Sequence, residues 1–589
     1  MSPRARGLLP ILVVLAVGVL LIFTLQERYH QRVLTLVLLW ATMGLAWNII
    51  SGYAGQTSFG HQAFFGIGAY GTVLLVLHLG LTPWIGMLVS AAVAVVAAAL
   101  IGFPTFRLSG IYFALATLAY PLIFRIGMDF LGYQEVAIPM VRDRPGLYMQ
   151  FTDPRANGLL CLGAFAAALL LSHAIEISRL GYRLRALREN EQAAEAMGVD
   201  TFRCKMAAYM LSAAPAAIAG AIYAHVILYV VTPDSTFGVL VIVQTLVVCL
   251  VGGIGSLWGP LIGAGLMVPT GEFLDASLGD RLPGIQGVVY GAALVLIMLV
   301  APEGLYWRLR GLLQRGRVEA PSGAPAAVDM PARAAHLAGA AGQALLEVRG
   351  VARSFIGVQA LDDVSFTVRE GDILGIIGPN GAGKTTLFNV LNGFLPPDRG
   401  EVRYAGERIS GLRPSAVCRL GVGRTFQVVR TFPQLTVLEN VMVGAFTRTA
   451  AEREARDRAA AALQRFGLWP RAHARPGSLT TLELRLMELA RCLATEPRLV
   501  LLDEPLAGLG AGSVEAMLGH IRRLPQAGVT VAIIEHTMYA LVRLADRLLV
   551  LDHGRCLAEG PPADVTREAA VIEAYLGKRW LHRAQGLRA

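Results

Sequence analysis

The sequence predicts two folded units of different class, an α-helical domain that crosses a membrane about ten times and an α/β domain that follows it. Of the 589 residues, 54% are apolar and 16% are charged, whereas an ordinary soluble domain has about 25% charged residues. The apolar residues of the first half form long runs without charge, and the chain after Leu345 alternates strand-like and helix-like segments. A single soluble domain is therefore excluded.

The stretch from Val33 to Phe106 is too long for one membrane crossing. It contains no Asp, Glu, Lys or Arg, and at ~1.5 Å per residue one helix of that length would far exceed a hydrocarbon core of ~30 Å. Glycine and proline breaks divide this stretch into three spans, and glycines at 252–255 divide the run 235–271 into two. The predicted spans are 7–26, 33–50, 59–80, 84–103, 108–124, 156–175, 206–233, the two parts of 235–271, and 282–302.

The arginines of the first half predict its orientation. Ten spans place residues 177–205 and the chain after Pro302 on the side of the N-terminus, and both segments are rich in arginine, which predicts the cytoplasmic side. Arg28 and Arg32 would then lie outside and are exceptions to the rule that positive charges concentrate on the cytoplasmic side. Residues 311–344 are rich in Ala, Gly and Pro and predict a flexible linker. The predicted domains are therefore a transmembrane domain at 1–310, the linker at 311–344 and an α/β domain at 345–589.

The charge and the cysteines exclude other classes. The net charge is +10, but the arginine excess lies in loops that flank the membrane, and no array of basic and aromatic residues accompanies it, which disfavours nucleic-acid binding. The six cysteines are scattered singly without a C-x-x-C pair. Neither a zinc site nor a disulfide framework is predicted.

A phosphate-binding loop follows the predicted buried strand 373–377. The sequence after that strand reads G-x-x-x-x-G-K-T and continues into a helix, which is the strand, loop and helix context that this motif requires. Backbone N–H groups of such a loop wrap phosphates, the lysine reaches the β- and γ-phosphates, and the threonine hydroxyl binds Mg²⁺. The predicted nucleotide-binding residues are Gly378, Pro379, Asn380, Gly381, Ala382, Gly383, Lys384, Thr385 and Thr386.

Two further strands end in polar side chains. The apolar strand 499–502 runs into Asp503 and Glu504, and the strand 531–534 runs into Glu535 and His536. With a phosphate loop upstream, Asp503 is predicted to contact Mg²⁺ and Glu504 to act as the base that polarises the attacking water. His536 stands where open α/β sheets collect ligand contacts, which predicts a γ-phosphate contact.

With these motifs, the second half resembles the nucleotide-binding subunit of ATP-binding cassette transporters, of the branched-chain amino acid uptake type. The sequence Arg424-Thr425-Phe426-Gln427 is similar to the Q-loop of that family. The resemblance implies that Gln427 acts in catalysis and contacts the metal together with Thr385 and Asp503. It also implies that Phe355 stacks on the adenine of ATP, although a single Phe between strands more often belongs to a core.

The first half resembles the permease of the same transporters. The similar blocks include Ser51 to Gln56, Tyr112 to Leu118 and Gly252 to Pro260. The segment Arg185 to Gly198 is similar to the cytoplasmic coupling segment of that permease and is either a helix that docks on the cassette or a solvated amphipathic helix. Polar residues among the spans are either contacts of a solute pathway or interhelical hydrogen bonds; they include Asn48, His61 and Thr117.

The sequence departs from the family pattern at the signature loop. The family has Leu-Ser-Gly-Gly-Gln at this point, and here the chain reads Leu479-Thr480-Thr481-Leu482-Glu483. Leu482 replaces a glycine whose backbone approaches the γ-phosphate, and a side chain crowds that approach. The resemblance thus implies a partner cassette with an intact signature loop. A homodimer in which Leu482 still offers its N–H remains the alternative.

The resemblance implies an ATPase that imports a small polar solute across a bacterial cytoplasmic membrane, with branched-chain amino acids or related compounds as the solute. The expected cofactors are ATP and Mg²⁺. The expected partners are membrane lipid, a second permease subunit, a second cassette and an extracellular or periplasmic solute-binding protein. The alternatives are a transporter of an amide or another amino acid, an exporter, and a nucleotide-gated membrane protein that does not hydrolyse ATP.

Overall fold

The computed structural model describes residues 3–108, 110–141, 143–278, 280–282, 284–313 and 342–576 of the chain. It divides into two compact units, one formed by Met1–Leu184 and Phe202–Val318, the other by Arg185–Thr201 and Glu319–Ala589. The segment Arg185–Thr201 therefore belongs with the C-terminal unit, although the sequence predicted it within the membrane domain. Most of the predicted linker 311–344 lies outside the described residues, and the domain boundaries at 310 and 345 stay predictions.

The first unit consists of long apolar helices, as the sequence predicted. Eight helical segments of the described chain are long and apolar enough to cross a membrane. A shorter apolar helix, Leu8–Thr24, and the helix Gly259–Leu278 stand at the first and ninth predicted spans, so the number ten stays a prediction. The main helices are Pro3–Thr24, Arg28–Trp47, His61–Leu79, Pro83–Thr105, Ile111–Phe130, Pro154–Glu176, Thr201–Tyr223, Val239–Gly252, Gly259–Leu278 and Ile285–Val300.

Glycines bring two of these helices into backbone contact. A Cβ atom on Gly68 would lie 1.9 Å from the carbonyl oxygen of Ala217, and one on Gly220 would lie 1.9 Å from that of Phe65. Small residues allow such close approach between helices in a membrane domain. The helices His61–Leu79 and Thr201–Tyr223 therefore cross at a point where no side chain fits.

The polar residues of the spans make hydrogen bonds within the membrane unit. The Asn48 side chain donates to the Ser256 carbonyl over 3.0 Å and accepts from the Gly255 N–H over 2.8 Å. The His61 ring contacts the Ser212 hydroxyl at 3.0 Å, and the Thr117 hydroxyl accepts from the Phe59 N–H at 3.1 Å. These contacts favour the interhelical hydrogen-bond interpretation of Asn48, His61 and Thr117.

The second unit is an α/β domain built on two sheets. In the six-stranded sheet the spatial order is Arg555–Gly560, Arg547–Asp552, Ile373–Ile377, Thr530–Ile534, Leu499–Asp503 and Val422–Arg424. All neighbours in it are parallel except the first pair. The antiparallel four-stranded sheet has the order Val358–Arg369, Ala344–Phe355, Arg399–Tyr404 and Glu407–Arg408. The fold class predicted from the sequence is confirmed.

Helices complete this unit around the sheets. Those of nine residues or fewer are Glu191–Ala196, Lys384–Leu391, Pro414–Leu420, Val437–Ala445, Met538–Leu544, Pro562–Val565 and Ala569–Leu576, and the longer ones are Glu452–Arg465, Thr481–Leu493 and Ala511–Gln526. The three central strands Ile373–Ile377, Thr530–Ile534 and Leu499–Asp503 are buried throughout. Because parallel strands end at the same edge, the loops that follow these three strands meet there.

Candidate nucleotide site

The phosphate loop follows the strand Ile373–Ile377 and depends on its glycines. A Cβ atom on Gly378 would lie 2.2 Å from the carbonyl oxygen of Leu551, and one on Gly383 would lie 2.3 Å from that of Ala360. Side chains are therefore excluded at both positions. Gly381 has φ of 83°, in the left-handed region that glycine adopts without strain. The predicted residues thus form the tight loop that phosphate binding needs.

Lys384 begins the helix Lys384–Leu391, and its ammonium group lies over the loop. Nζ donates to the carbonyl oxygens of Gly378 at 2.7 Å and Pro379 at 2.9 Å. Burial lowers the pKa of Lys384, and the carboxylates of Glu504 and Asp503 oppose that shift. The cation therefore stands at the N-terminus of a helix, where a phosphate group is attracted both by the ammonium and by the helix dipole.

Glu504 has two side-chain partners, both predicted as site residues. Gln427 donates from Nε2 to Glu504 Oε2 at 3.1 Å, and His536 Nε2 lies 2.8 Å from Glu504 Oε1. Glu504 itself adopts φ of 49°, an uncommon conformation for a residue with a side chain that often accompanies functional sites. Three residues that are far apart in the sequence thus meet at one carboxylate.

Asp503 lies one residue earlier and is buried, with 2% of its side chain exposed. Its Oδ2 pairs with Arg424 Nη2 at 3.2 Å, and Oδ1 has no hydrogen-bond partner among the described residues. Burial raises the pKa of Asp503, and the guanidinium of Arg424 opposes that shift. A buried carboxylate oxygen without a partner suits a metal ion, so the residues present fit Mg²⁺ with Asp503 and Thr385 as ligands.

Comparison with known proteins agrees with both units. The family model "Branched-chain amino acid transport system / permease component" matches residues 29–298. The model "ABC transporter" matches residues 361–507, and "Branched-chain amino acid ATP-binding cassette transporter" matches 555–580. The ATP-binding protein LivG of Salmonella typhimurium, named for high-affinity branched-chain amino acid transport, is 38% identical over 256 residues, 40% of this chain and 99% of that protein.

The chain belongs to the branched-chain amino acid family of ATP-binding cassette transporters. BraF of Pseudomonas aeruginosa, with the same description as LivG, is 39% identical over 250 residues, 40% of this chain and 98% of BraF. A crystal structure of a nucleotide-free cassette from an ABC transporter is 30% identical, with a TM-score of 0.38, and covers 40% of this chain and 100% of that one. This transporter chain thus carries a permease domain and an ATP-hydrolysing cassette together.

The remaining nucleotide-site predictions concern Phe355, Thr385 and Thr386. Phe355 ends the strand Ala344–Phe355 with 41% of its surface exposed, and the Arg353 guanidinium lies 5.2 Å from its ring centre. An exposed ring is available for stacking on a base. Thr385 is exposed and Thr386 is half-buried at the start of the helix that Lys384 begins. Adenine stacking by Phe355 stays a prediction.

The altered signature loop of this transporter chain is the start of a helix. Thr480 caps the helix Thr481–Leu493, because its hydroxyl accepts from the Glu483 N–H at 3.3 Å and the Glu483 carboxylate accepts from the Thr480 N–H at 2.8 Å. This reciprocal pair is a capping box. Leu482 is half-buried in the first turn. Glu483 therefore places a carboxylate at the N-terminus of this helix, and its pKa is lowered chiefly by the Thr480 N–H.

The predicted coupling segment packs on the cassette within the second unit. Thr447 donates from Oγ1 to the carbonyl oxygen of Met197 at 2.5 Å, and Arg430 donates to Gln192. Gly198 has φ of 81°, and a Cβ atom there would lie 2.8 Å from the Thr447 side chain. Ala193, Ala194, Ala196 and Met197 are fully buried. These contacts favour docking over the alternative of a solvated helix.

Arg424, Arg485 and Glu488 are parts of the site that the sequence did not assign. Arg424 forms an ion pair with Asp503, and its Nη1 donates a hydrogen bond to Asn389 Oδ1 at 2.7 Å. Arg485 donates to the carbonyl oxygen of Gln427 at 2.7 Å. In the sequence, each of these residues is a charge within an otherwise apolar strand or helix face. That pattern does not show which residue the charge contacts.

Proposed function

We propose that this chain is one half of an importer that carries branched-chain amino acids or related small polar solutes into a bacterial cytoplasm across the inner membrane. The observation that carries the proposal is the carboxylate of Glu504, which Gln427 and His536 hold beside the phosphate loop of a chain that also contains a permease domain. The names of LivG and BraF, which assign both to branched-chain amino acid transport, support the solute class.

The proposed chemistry assigns one role to each residue. Glu504 orients and polarises the attacking water, and the hydrogen bond from Gln427 fixes its carboxylate. Lys384 and the backbone N–H groups available in the loop 378–386, where Pro379 has none, bind the phosphates, and His536 contacts the γ-phosphate. Mg²⁺, held by Asp503, Thr385 and Gln427, would neutralise charge on the phosphate oxygens. The Arg424 guanidinium fixes the orientation of Asp503 for that role.

The proposed assembly is heteromeric. A second permease, a second cassette with an intact signature loop and an external solute-binding protein would complete the transporter. The Glu483 carboxylate and the Leu482 side chain support this proposal, because a negative charge and added bulk at the helix start disfavour the approach of a triphosphate from another cassette. A homodimer, an exporter and a carrier of amides or other amino acids are the competing proposals.

The membership in an ATP-hydrolysing transporter family disfavours a purely nucleotide-gated protein. The solute is tested by measuring the uptake of labelled leucine, isoleucine and valine, and of an amide, into proteoliposomes. These vesicles contain the purified complex, the solute-binding protein outside and ATP inside. ATP-dependent accumulation of the amino acids supports the proposal, and accumulation of the amide alone, or export, contradicts it.

A further inference from the structure

We propose that Glu488 and Arg485 are positioning residues that hold the loop Phe426–Arg430 and so link the docked coupling segment to Gln427 at the ATP site. This inference rests on the proposed function of the site. Both residues lie on the helix Thr481–Leu493, whose first turn forms the altered signature loop. Neither touches the phosphate loop in a described hydrogen bond or ion pair.

Glu488 binds the backbone of this loop. The residue is 1% exposed, and its Oε1 accepts a hydrogen bond from the Phe426 N–H at 3.2 Å. The Arg430 N–H also faces this carboxylate and favours its ionised form. A charged acceptor makes stronger hydrogen bonds than a neutral one. The carboxylate thus binds the first residue of the loop and attracts the N–H group of the last one.

Arg485 binds the same loop through its carbonyl groups. Nη1 donates to the Phe426 oxygen at 2.9 Å, and Nη2 donates to the Gln427 oxygen at 2.7 Å and to the Ala507 oxygen at 3.3 Å. Glu488 Oε2 lies 3.9 Å from Arg485 Nη1. The backbone of Gln427 therefore depends on an arginine that Glu488 keeps in place.

The two ends of the held loop face different parts of the chain. At one end the Gln427 side chain donates to Glu504 at 3.1 Å. At the other end the Arg430 side chain donates to Gln192 of the coupling segment, and its guanidinium lies 4.5 Å from the Phe426 ring centre. A displacement of the coupling segment is thus passed to Gln427 only if the backbone between them moves as one piece, which Glu488 and Arg485 enforce.

The charges around Glu488 make this link sensitive to pH. Arg485 and Arg491 face it from its own helix, with Arg491 Nη2 at 3.8 Å. Arg424 and Cys492 are further titratable groups that interact with it. The helix Ala511–Gln526 contributes Met517 and Ile521 to a cavity of about 10 Å³ that Glu488 also lines. Burial raises the pKa of Glu488 to about 7, against the opposing effect of both arginines.

The test compares Glu488→Ala, Glu488→Gln and a matched control, Glu370→Gln, in the purified transporter complex. Glu370 pairs with Arg498 at 2.8 Å and has no described contact with the loop. In Glu488→Ala we expect kcat for ATP hydrolysis to fall about tenfold with KM for ATP within about twofold, because Gln427 is misplaced and the phosphate loop is not. Glu488→Gln keeps an acceptor oxygen, so its kcat for ATP hydrolysis should fall less than that of Glu488→Ala.

The pH profile separates positioning from a general loss of stability. Wild-type kcat should rise as pH passes through about 7, because the ionised carboxylate binds the Phe426 N–H more strongly than the protonated carboxyl does. The Glu488→Gln profile should lack that rise. Wild-type kcat and an unchanged pH profile in both Glu488 variants would overturn the inference, as would an equal loss in Glu370→Gln. A wild-type complex without ATP hydrolysis would instead count against the proposed function.

Discussion

Gln427 Nε2 donates a hydrogen bond to Glu504 Oε2 over 3.1 Å, although 77 residues separate the two in the sequence. The contact joins the carboxylate proposed to activate water with the loop Phe426–Arg430, which contacts the coupling segment through Arg430 and Gln192. Since His536 contacts the other oxygen of Glu504 at 2.8 Å, the carboxylate has partners on both sides. The proposed activation of water at the ATP site depends on this arrangement.

Glu504→Gln should retain ATP binding and lose most of the hydrolysis. The amide keeps the shape of the side chain but is a poor base, so we expect kcat to fall by about 100-fold or more while nucleotide affinity changes little. Steady-state ATPase assays and binding of a fluorescent ATP analogue measure the two quantities. Glu515→Gln, which alters a surface ion pair with Arg543, is the control. A Glu504→Gln complex with near-normal turnover would remove Glu504 from this role.

Gly198→Val should uncouple the two units. Gly198 has φ of 81°, and a Cβ atom would lie 2.8 Å from Thr447, so a branched side chain displaces the coupling segment. We expect solute uptake to fall at least tenfold while binding of the fluorescent ATP analogue persists. Gly512→Ala, where a Cβ meets nothing within 4 Å, is the matched control. Normal uptake by the Gly198→Val complex would show that this contact does not transmit motion.

Cysteine labelling tests the proposed topology. Five of the six native cysteines are buried and the sixth, Cys556, is half-buried, so a cysteine-free background is a practical starting point. In it, Asp143→Cys should react with a membrane-impermeant maleimide in intact cells, and Arg188→Cys should react only after the cells are opened, because the predicted ten crossings would put residue 188 inside. Labelling of Arg188→Cys in intact cells would rule out this topology.

The sequence predicted those parts of the fold that local patterns encode. Uncharged runs located the helices, but they did not show their ends. The helix Arg28–Trp47 begins before the predicted start at 33, because arginines near a span end can extend their charged groups toward water. The predicted span 206–233 ends early, at Tyr229, which has φ of 58°. No sequence pattern predicts that a tyrosine adopts this left-handed backbone conformation.

The same distinction applies to the site: residues marked by a local sequence pattern were predictable, and contacts between residues far apart in the sequence were not. Residues at the ends of buried strands were predictable, since parallel strands place Glu504 and His536 at one edge of the sheet. The bond from Arg424 to Asp503 and the bonds from Glu488 and Arg485 to the Gln427 loop join residues about 60 to 80 positions apart. Such pairs arise from tertiary packing, and a single sequence gives no signal for them.

In the proposed heteromer, this chain supplies one competent ATP site and needs a partner cassette for the signature loop. The test is the ATPase activity of the purified chain in proteoliposomes with loaded solute-binding protein added. It is measured for the chain alone and for the chain together with the cassette and permease encoded by adjacent genes. We expect little stimulated hydrolysis by the chain alone and strong stimulation of the complete complex, and Glu504→Gln in this chain should abolish that stimulation. Full solute-stimulated turnover by the chain alone would contradict it.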